Sequence, residues 1–339
     1  MNLSIIGTGA MASLFSARLS RVADVALLGT WTEAVQAIRR DGIQVEGEGT
    51  FRVHAASDPD DAPPADLAIM LVKTYQTERA AEWAAHTLKR EGIALTLQNG
   101  LGNVEMLAAR VGIDRAMLGV TTQGATLMAA GQVRPAGRGT THLGFLPIER
   151  AAPRDWSADS FAYETTALFN AAGLTSVVSE DVEALVWGKV IVNAAINPLT
   201  AILRVPNGAL VESADTLELM RSISAEAASV AKALGIALPY PDPFERAKQV
   251  AQATASNHSS MLQDVLKHRP TEIDAINGKI VERGRAAGVP TPINAALAAL
   301  VRAIERNSAA EIAEDAKKTI SRSWEGRHAK TLRSPRPPR

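Results

Sequence analysis

The stretch Asn2–Ala12, NLSIIGTGAMA, decides the fold. Leu3–Ile6 reads as a short apolar strand, and a helical pattern runs from Ala10 to about Ser20. Between them Gly7-Thr8-Gly9-Ala10-Met11-Ala12 matches G-x-G-x-x-[GA]. Each small residue then has a reason: Gly7 permits the tight turn, Gly9 lets backbone approach a ligand, and Ala12 lets the helix pack closely on the strand. The helix start behind the turn offers free N–H groups and the positive end of the dipole, which suit a phosphate. A glycine pattern alone also fits a structural turn. Its place directly after the first strand favours a pyrophosphate cradle, and Gly7, Thr8, Gly9, Ala10, Met11 and Ala12 are the expected cofactor-binding residues.

Outward from this turn, strand-like and helix-like patterns alternate. Val25–Leu28 reads as a strand and Thr32–Arg40 as a helix, and apolar runs follow at Leu67–Val72, Ile93–Leu97 and Ala116–Val120. Continuous apolar runs are expected of parallel strands covered on both faces. The segment Thr122–Phe145 is rich in glycine and threonine and reads as hairpin strands along a sheet edge. Ser160–Ala172 (helix) and Thr175–Val178 (strand) close this half. From Ser179 to about Ile312 the pattern is helical, with breaks expected at Asn197-Pro198, Pro206-Asn207-Gly208, Pro239–Pro243, Arg269-Pro270 and Pro290–Pro292. The expected fold class is α/β: an N-terminal Rossmann-type dinucleotide-binding domain over residues 1–180, then an all-helical C-terminal domain over residues 181–312. A charged tail, residues 313–339, is expected to be partly disordered.

Bulk properties exclude several function classes. Lys+Arg and Asp+Glu both total 36, so no general grip on nucleic acid or anionic lipid is expected. No cysteine is present, and the six histidines are scattered without metal-ligand spacing. No apolar run reaches the roughly 18 residues of a membrane span, and the N-terminus lacks the basic lead of a signal peptide. The expectation is a cytoplasmic protein.

The choice of dinucleotide stays open at this stage. An NAD enzyme usually carries an acid at the end of the second strand and an NADP enzyme an arginine; Leu28-Gly29-Thr30-Trp31 has neither. Thr30 would bond a 2′-hydroxyl or a 2′-phosphate equally well. At the ends of later strands, Lys73 could meet ribose or phosphate oxygens and Asn99 the nicotinamide or the substrate, although both also fit a helix start and an Asn-Gly turn.

The helical half carries a second signal. In Trp187–Ile202, WGKVIVNAAINPLTAI, Lys189, Asn193 and Asn197 recur at i, i+4, i+8 and share one face of an apolar helix. Hydride delivery to a ketone builds negative charge on its oxygen, which an ammonium stabilises and protonates. Lys189 is the expected proton donor, and Glu272 is expected to keep it charged and oriented. Thr271 with Asp274 suggests a near capping box with Glu272 in the first helical turn. Ser260, Asn193, Asn197 and Asn207 could then bond a small substrate rich in oxygens.

Taken together, GTGAMA, the Val72-Lys73-Thr74 turn, QNGLGN (98–103), RPAGRGTTHLG (134–144), WGKVIVNAAINPLTAI, PNG (206–208), SSMLQD (259–264) and TEIDAINGKIV (271–281) resemble the ketopantoate reductase family. The resemblance runs from residue 2 to about residue 305. It implies NADPH-dependent reduction of ketopantoate to D-pantoate in pantothenate and coenzyme A synthesis, in a cleft between the two domains. It implies Lys189 as general acid and Glu272 as a catalytic carboxylate that also touches the cofactor. It assigns Asn99, Asn193, Asn197, Asn207 and Ser260 to the substrate, and Thr30, Lys73 and Asn99 to the cofactor side. Thr30 stands where the family commonly has arginine, which keeps NADH in view and, with it, a D-2-hydroxyacid dehydrogenase acting on another 2-oxo acid. A dinucleotide-sensing regulator is the third reading. The expected partner is a small 2-oxo acid; alanine-rich helices such as Ile293–Ile304 fit a homodimer interface and the core of a single chain equally well.

Overall fold

The structure, a computed structural model, describes residues 1–146 and 157–307. The N-terminal half comprises β1 (Asn2–Ile6), α1 (Ala10–Leu19), β2 (Asp24–Leu28), α2 (Thr32–Asp41), β3 (Ile43–Val45), β4 (Gly49–Phe51), β5 (His54–Ala56), β6 (Ala65–Met70), α3 (Thr77–Thr87), β7 (Leu88–Thr96), α4 (Asn103–Val111), β8 (Ala116–Thr121), β9 (Gly124–Ala129), β10 (Gln132–Gly137), β11 (Thr141–Phe145), α5 (Ser157–Ala171) and β12 (Ser176–Val178). Eight strands form one sheet in the order β12-β11-β8-β7-β6-β1-β2-β5. The run from β8 to β5 is parallel throughout. On either side of β1 the chain order diverges, and that reversal creates the crevice at the carboxyl ends where open α/β sheets bind ligands.

The sheet corrects one sequence expectation. The glycine-rich hairpin, β9 and β10, does not extend the edge of the main sheet. It joins β3 and β4 in a separate four-stranded sheet, order β4-β3-β10-β9, through a parallel pairing of β10 with β3. Buried Ile43, Val45 and Val133 pack there with Ala12, Phe15 and Leu19 of α1. Only β11 joins the main sheet, antiparallel to β8.

The helical half comprises α6 (Val182–Leu203), α7 (Ala214–Ala233), α8 (Pro243–Ala253), α9 (Ser260–Leu266), α10 (Lys279–Ala286) and α11 (residues 292–307). The central helix α6 is capped by Asp181, whose carboxylate accepts from the Ala184 N–H at 3.0 Å. By length and composition it is apolar enough to cross a membrane, although Lys189, Asn193 and Asn197 interrupt its apolar run, and 78% of its most apolar window is buried inside the protein. It is the core helix of this half. Trp187, Val190, Ile191, Ala194 and Ala195 all lie in the main core.

The expected break at Asn197-Pro198 is absent, and α6 runs straight through Pro198. Proline removes the N–H that would bond the carbonyl four residues back, that of Ala194. Here the side chain of buried Asn277 donates to the Ala194 carbonyl at 3.2 Å. A side chain from a distant segment replaces the lost backbone donor, so the helix continues.

A further correction concerns Thr271–Asp274. No capping box forms. Thr271 Oγ1 accepts from the Ile273 N–H at 3.2 Å, and residues Asp274–Gly278 make one π-helical turn before α10. Such bulges are frequent at functional sites. In α11, Leu297, Ala298 and Val301 are buried in the core, which accounts for much of its apolar face within the chain. The charged tail expected from residue 313 lies outside the described residues.

Candidate active site

A cleft of about 710 Å³ opens where the carboxyl ends of the parallel strands meet α6, α9 and the turn at Glu272, a volume ordinary for a small-molecule or cofactor site. Its floor is the glycine turn. Gly7 has φ +130°, and a Cβ there would lie 2.7 Å from the Leu71 carbonyl oxygen, so no other residue fits. Gly9 differs: a Cβ on it would meet no atom within 4 Å and would project into the cleft. Space kept free at Gly9 is what a close-approaching pyrophosphate requires. The start of α1 fits the same group, with no side-chain cap and no acid in its first turn. Ala12 is fully buried beneath. Thr8, Ala10, Met11 and Thr30 complete this end of the cleft.

Lys189 reaches the cleft from α6 and donates from Nζ to the carbonyl oxygen of Thr121, the last residue of β8, at 2.8 Å. That contact aims the ammonium at the carboxyl edge of the sheet and leaves two of its three N–H bonds for a ligand. Behind it, Gly188 admits Pro239 and Tyr240 against the helix, and the Tyr240 hydroxyl donates to the Gly188 carbonyl. Burial lowers the Lys189 ammonium from its ordinary 10.5 to about 8, with Glu272 pulling weakly the other way.

Glu272 is buried and does not pair with Lys189, contrary to the sequence expectation. Its Oε1 accepts from the Thr74 N–H at 3.2 Å and its Oε2 from Asn99 Nδ2 at 3.1 Å. Lys73 Nζ stands 3.8 Å from Oε2 and 2.6 Å from Asp264 Oδ2. Burial works to lower the Lys73 ammonium, but Glu272 and Asp264 hold it above its ordinary value. Lys73 is therefore clasped by two carboxylates rather than free for phosphate oxygens.

These contacts join the two halves. Gly100 makes the junction possible: its φ is +83°, and a Cβ would lie 2.5 Å from the Ala275 carbonyl. Beneath, Gln98 Nε2 donates to Val72 O (3.1 Å) and to Thr77 Oγ1 (2.8 Å), while Asn103 Nδ2 donates to Asn99 O (2.8 Å). This buried network braces the loops after β6 and β7 in fixed register.

Of the remaining predicted residues, Asn193 and Ser260 line the cleft with Lys189 and Asp264, and the Asn193 side chain makes no hydrogen bond among the described residues. Asn197 and Asn207 do not line it. Asn197 is buried two turns beyond Lys189, where the stripe passes into the core. Asn207 donates to Thr254 Oγ1 at 2.8 Å and ties its loop to the end of α8. A substrate-binding role for these two finds no support in their placement. Sequence reasoning missed Asp264, Thr121 and the Gln98–Thr77–Asn103 brace. Asp264 follows Ser260 by four residues, a spacing that would have put it on the same face of α9.

Comparison with known proteins adds a second line of evidence. Residues 3–147 match the family described as ketopantoate reductase PanE/ApbA, and residues 181–305 match its C-terminal domain. A 2-dehydropantoate 2-reductase of Pyrococcus horikoshii is 37% identical over 308 residues, which cover 90% of this chain and 98% of the relative. The PanE/ApbA family ketopantoate reductase of Ralstonia eutropha superposes with a TM-score of 0.82 at 32% identity, covering 91% of this chain and 99% of that one. A D-mandelate dehydrogenase with NADH and anilino(oxo)acetate reaches 0.83 at 28% identity, with the same coverage of both chains.

Proposed function

The chain belongs to the ketopantoate reductase family, and from that premise we propose that its cleft reduces the 2-oxo group of 2-dehydropantoate to the hydroxyl of D-pantoate, with NADPH as reductant. The relation to 2-dehydropantoate 2-reductases over nine-tenths of the chain carries the substrate reading. The 28% identity to a D-mandelate dehydrogenase is the weaker relation. Lys189 in the cleft supports an enzyme over a sensor. A bound nicotinamide supplies the hydride.

The protein's own groups handle the proton and the charge. With a value of about 8, Lys189 is protonated roughly ten to one at pH 7. Its ammonium, held by the Thr121 carbonyl, stabilises negative charge on the reacting oxygen and delivers the proton to it. Asn193 and Ser260 offer neutral hydrogen bonds to substrate oxygens. Asn99 and Glu272 fix the wall that closes the cleft, and Glu272 adds an acceptor for a substrate hydroxyl. The glycine turn and the start of α1 take the pyrophosphate.

Steady-state kcat/KM with 2-dehydropantoate, 2-oxoisovalerate and phenylglyoxylate, each with NADPH and NADH, tests the assignment. Preference for 2-dehydropantoate with NADPH is the expected result. A higher value for phenylglyoxylate would replace the substrate reading with that of an aromatic D-2-hydroxyacid dehydrogenase.

A further inference from the structure

We propose that Arg79, on the first turn of α3, is the residue that recognises the 2′-phosphate of the cofactor. The inference rests on the dinucleotide reading above and supplies the cation missing at the end of β2. Thr30 lies two residues past that strand, and the nearby arginines of α2 are directed elsewhere. Arg39 Nε donates to the Ala55 carbonyl at 2.5 Å, and Arg40 pairs with Asp41 at 2.7 Å. Neither lines the cleft.

The packing of α3 brings Arg79 to the right place. Ala80, Ala81 and Ala84 share a core with Ile6, Leu28 and Ala56, the last residues of β1, β2 and β5. At the far end of the helix, His86 Nε2 lies 2.6 Å from Asp60 in the loop after β5. So α3 packs on β6, β1 and β7, and its first turns line the same cleft as the end of β2. Gln76, Arg79, Ala80 and Trp83 recur at helical spacing and all line the cleft together with Leu28–Trp31. The carboxylates of α3 take a different face, where Arg110 binds Glu78 and Glu82 at 3.3 and 3.1 Å. Arg79 itself has no hydrogen-bond or ion-pair partner among the described residues.

The surrounding chemistry selects the ligand. None of the residues at this end of the cleft is a carboxylate, the group that would bond a 2′-hydroxyl and repel a 2′-phosphate. A free guanidinium matches a phosphate in bidentate geometry. The other cleft cations have other places: Lys73 is clasped by Asp264 and Glu272, Lys189 is held at Thr121, and Lys267 and Arg269 belong to the opposite, helical wall.

The test is equilibrium binding, followed by the quenching of tryptophan fluorescence, to which Trp31 and Trp83 in the cleft contribute, of NADPH and NADH to the full chain and to Arg79→Gln, Arg79→Lys and Arg269→Gln. The wild type is expected to bind NADPH more tightly than NADH. Arg79→Gln should weaken NADPH about tenfold or more, as expected for a lost charge-assisted hydrogen bond, and leave NADH unchanged. Arg79→Lys should recover part of the loss, and Arg269→Gln should change neither. The proposal is overturned if the wild type favours NADH, if Arg79→Gln leaves NADPH binding intact or weakens both dinucleotides alike, or if Arg269→Gln shows the NADPH-specific loss. A wild type that binds neither dinucleotide would overturn the cofactor reading itself, a separate result.

Discussion

Replacing Lys189 with methionine should remove activity and strengthen the fold. Burial lowers the ammonium from 10.5 to about 8, a difference worth about 3 kcal/mol between its charged and neutral forms. The sign follows from proton binding. Below pH 8 the lysine is charged in both folded and unfolded chains, so the folded state carries the whole penalty. Between about pH 8 and 10.5 the folded chain has released the proton that the unfolded chain still holds, and the penalty fades as pH rises. Methionine fills a similar volume without charge and removes the penalty. It also forfeits the bond to the Thr121 carbonyl, worth about 1–1.5 kcal/mol. The net expectation at pH 7 is a gain of roughly 1–2 kcal/mol, shrinking above pH 8, alongside a loss of about 10²–10⁴ in kcat. Urea unfolding across pH 6–10 reads the first, and oxidation of NADPH with 2-dehydropantoate reads the second. Turnover within a few fold of wild type would refute the proton-donor role; a destabilised variant at pH 7 would refute the claim that burial, rather than a partner, sets the lysine's proton affinity.

Three further perturbations probe other parts. The wild-type kcat/KM for reduction should fall as pH rises through about 8, as the free enzyme loses the Lys189 proton; a flat profile to pH 10 would remove Lys189 as the acid. Gly9→Val should leave the thermal midpoint within a few degrees of wild type, because a Cβ there meets nothing. The same change should weaken dinucleotide binding at least about tenfold by fluorescence titration, and unchanged affinity would move the pyrophosphate elsewhere. Asn277→Leu leaves the Ala194 carbonyl without a donor and should cost about 1–3 kcal/mol in urea unfolding; no loss would mean that water or backbone movement serves Pro198 instead.

The parts of this protein legible in its sequence are those whose cause is local. Gly7, Gly9 and Ala12 announce their places in the cleft floor because a strand, a turn and a helix start are adjacent along the chain. Lys189 and Asn193 announce theirs because helical spacing alone puts them on one face. What stayed hidden depends on partners far away in sequence. The hairpin β9–β10 reads as an edge, and nothing local says that it will pair with β3, nearly ninety residues earlier. Pro198 reads as a break because its compensating donor, Asn277, lies 83 residues away from the carbonyl it serves. Periodicity cannot say where the polar stripe leaves the cleft, and so Asn197 reads with Lys189 and Asn193 although it does not line the cleft with them.

The misreading of Glu272 exposes the logic of the site. Charge alone suggests that it should pair with Lys189, the buried cation across the cleft. Its oxygens instead go to the Thr74 N–H, to Asn99 and toward Lys73, which Asp264 holds from the other side. A direct carboxylate contact would raise the ammonium's proton affinity and make Lys189 a poorer acid at neutral pH. With Glu272 engaged elsewhere, burial dominates, and the lysine holds its proton at pH 7 while remaining able to release it. The buried cation of α6 is thus bonded to a neutral carbonyl, and the positive charge beside Glu272 and Asp264 is a different lysine, on the loop after β6. Two lysines share the cleft with opposite tuning, one raised by the carboxylates that join the two halves of the protein and one lowered by burial, as the proposed proton donor requires.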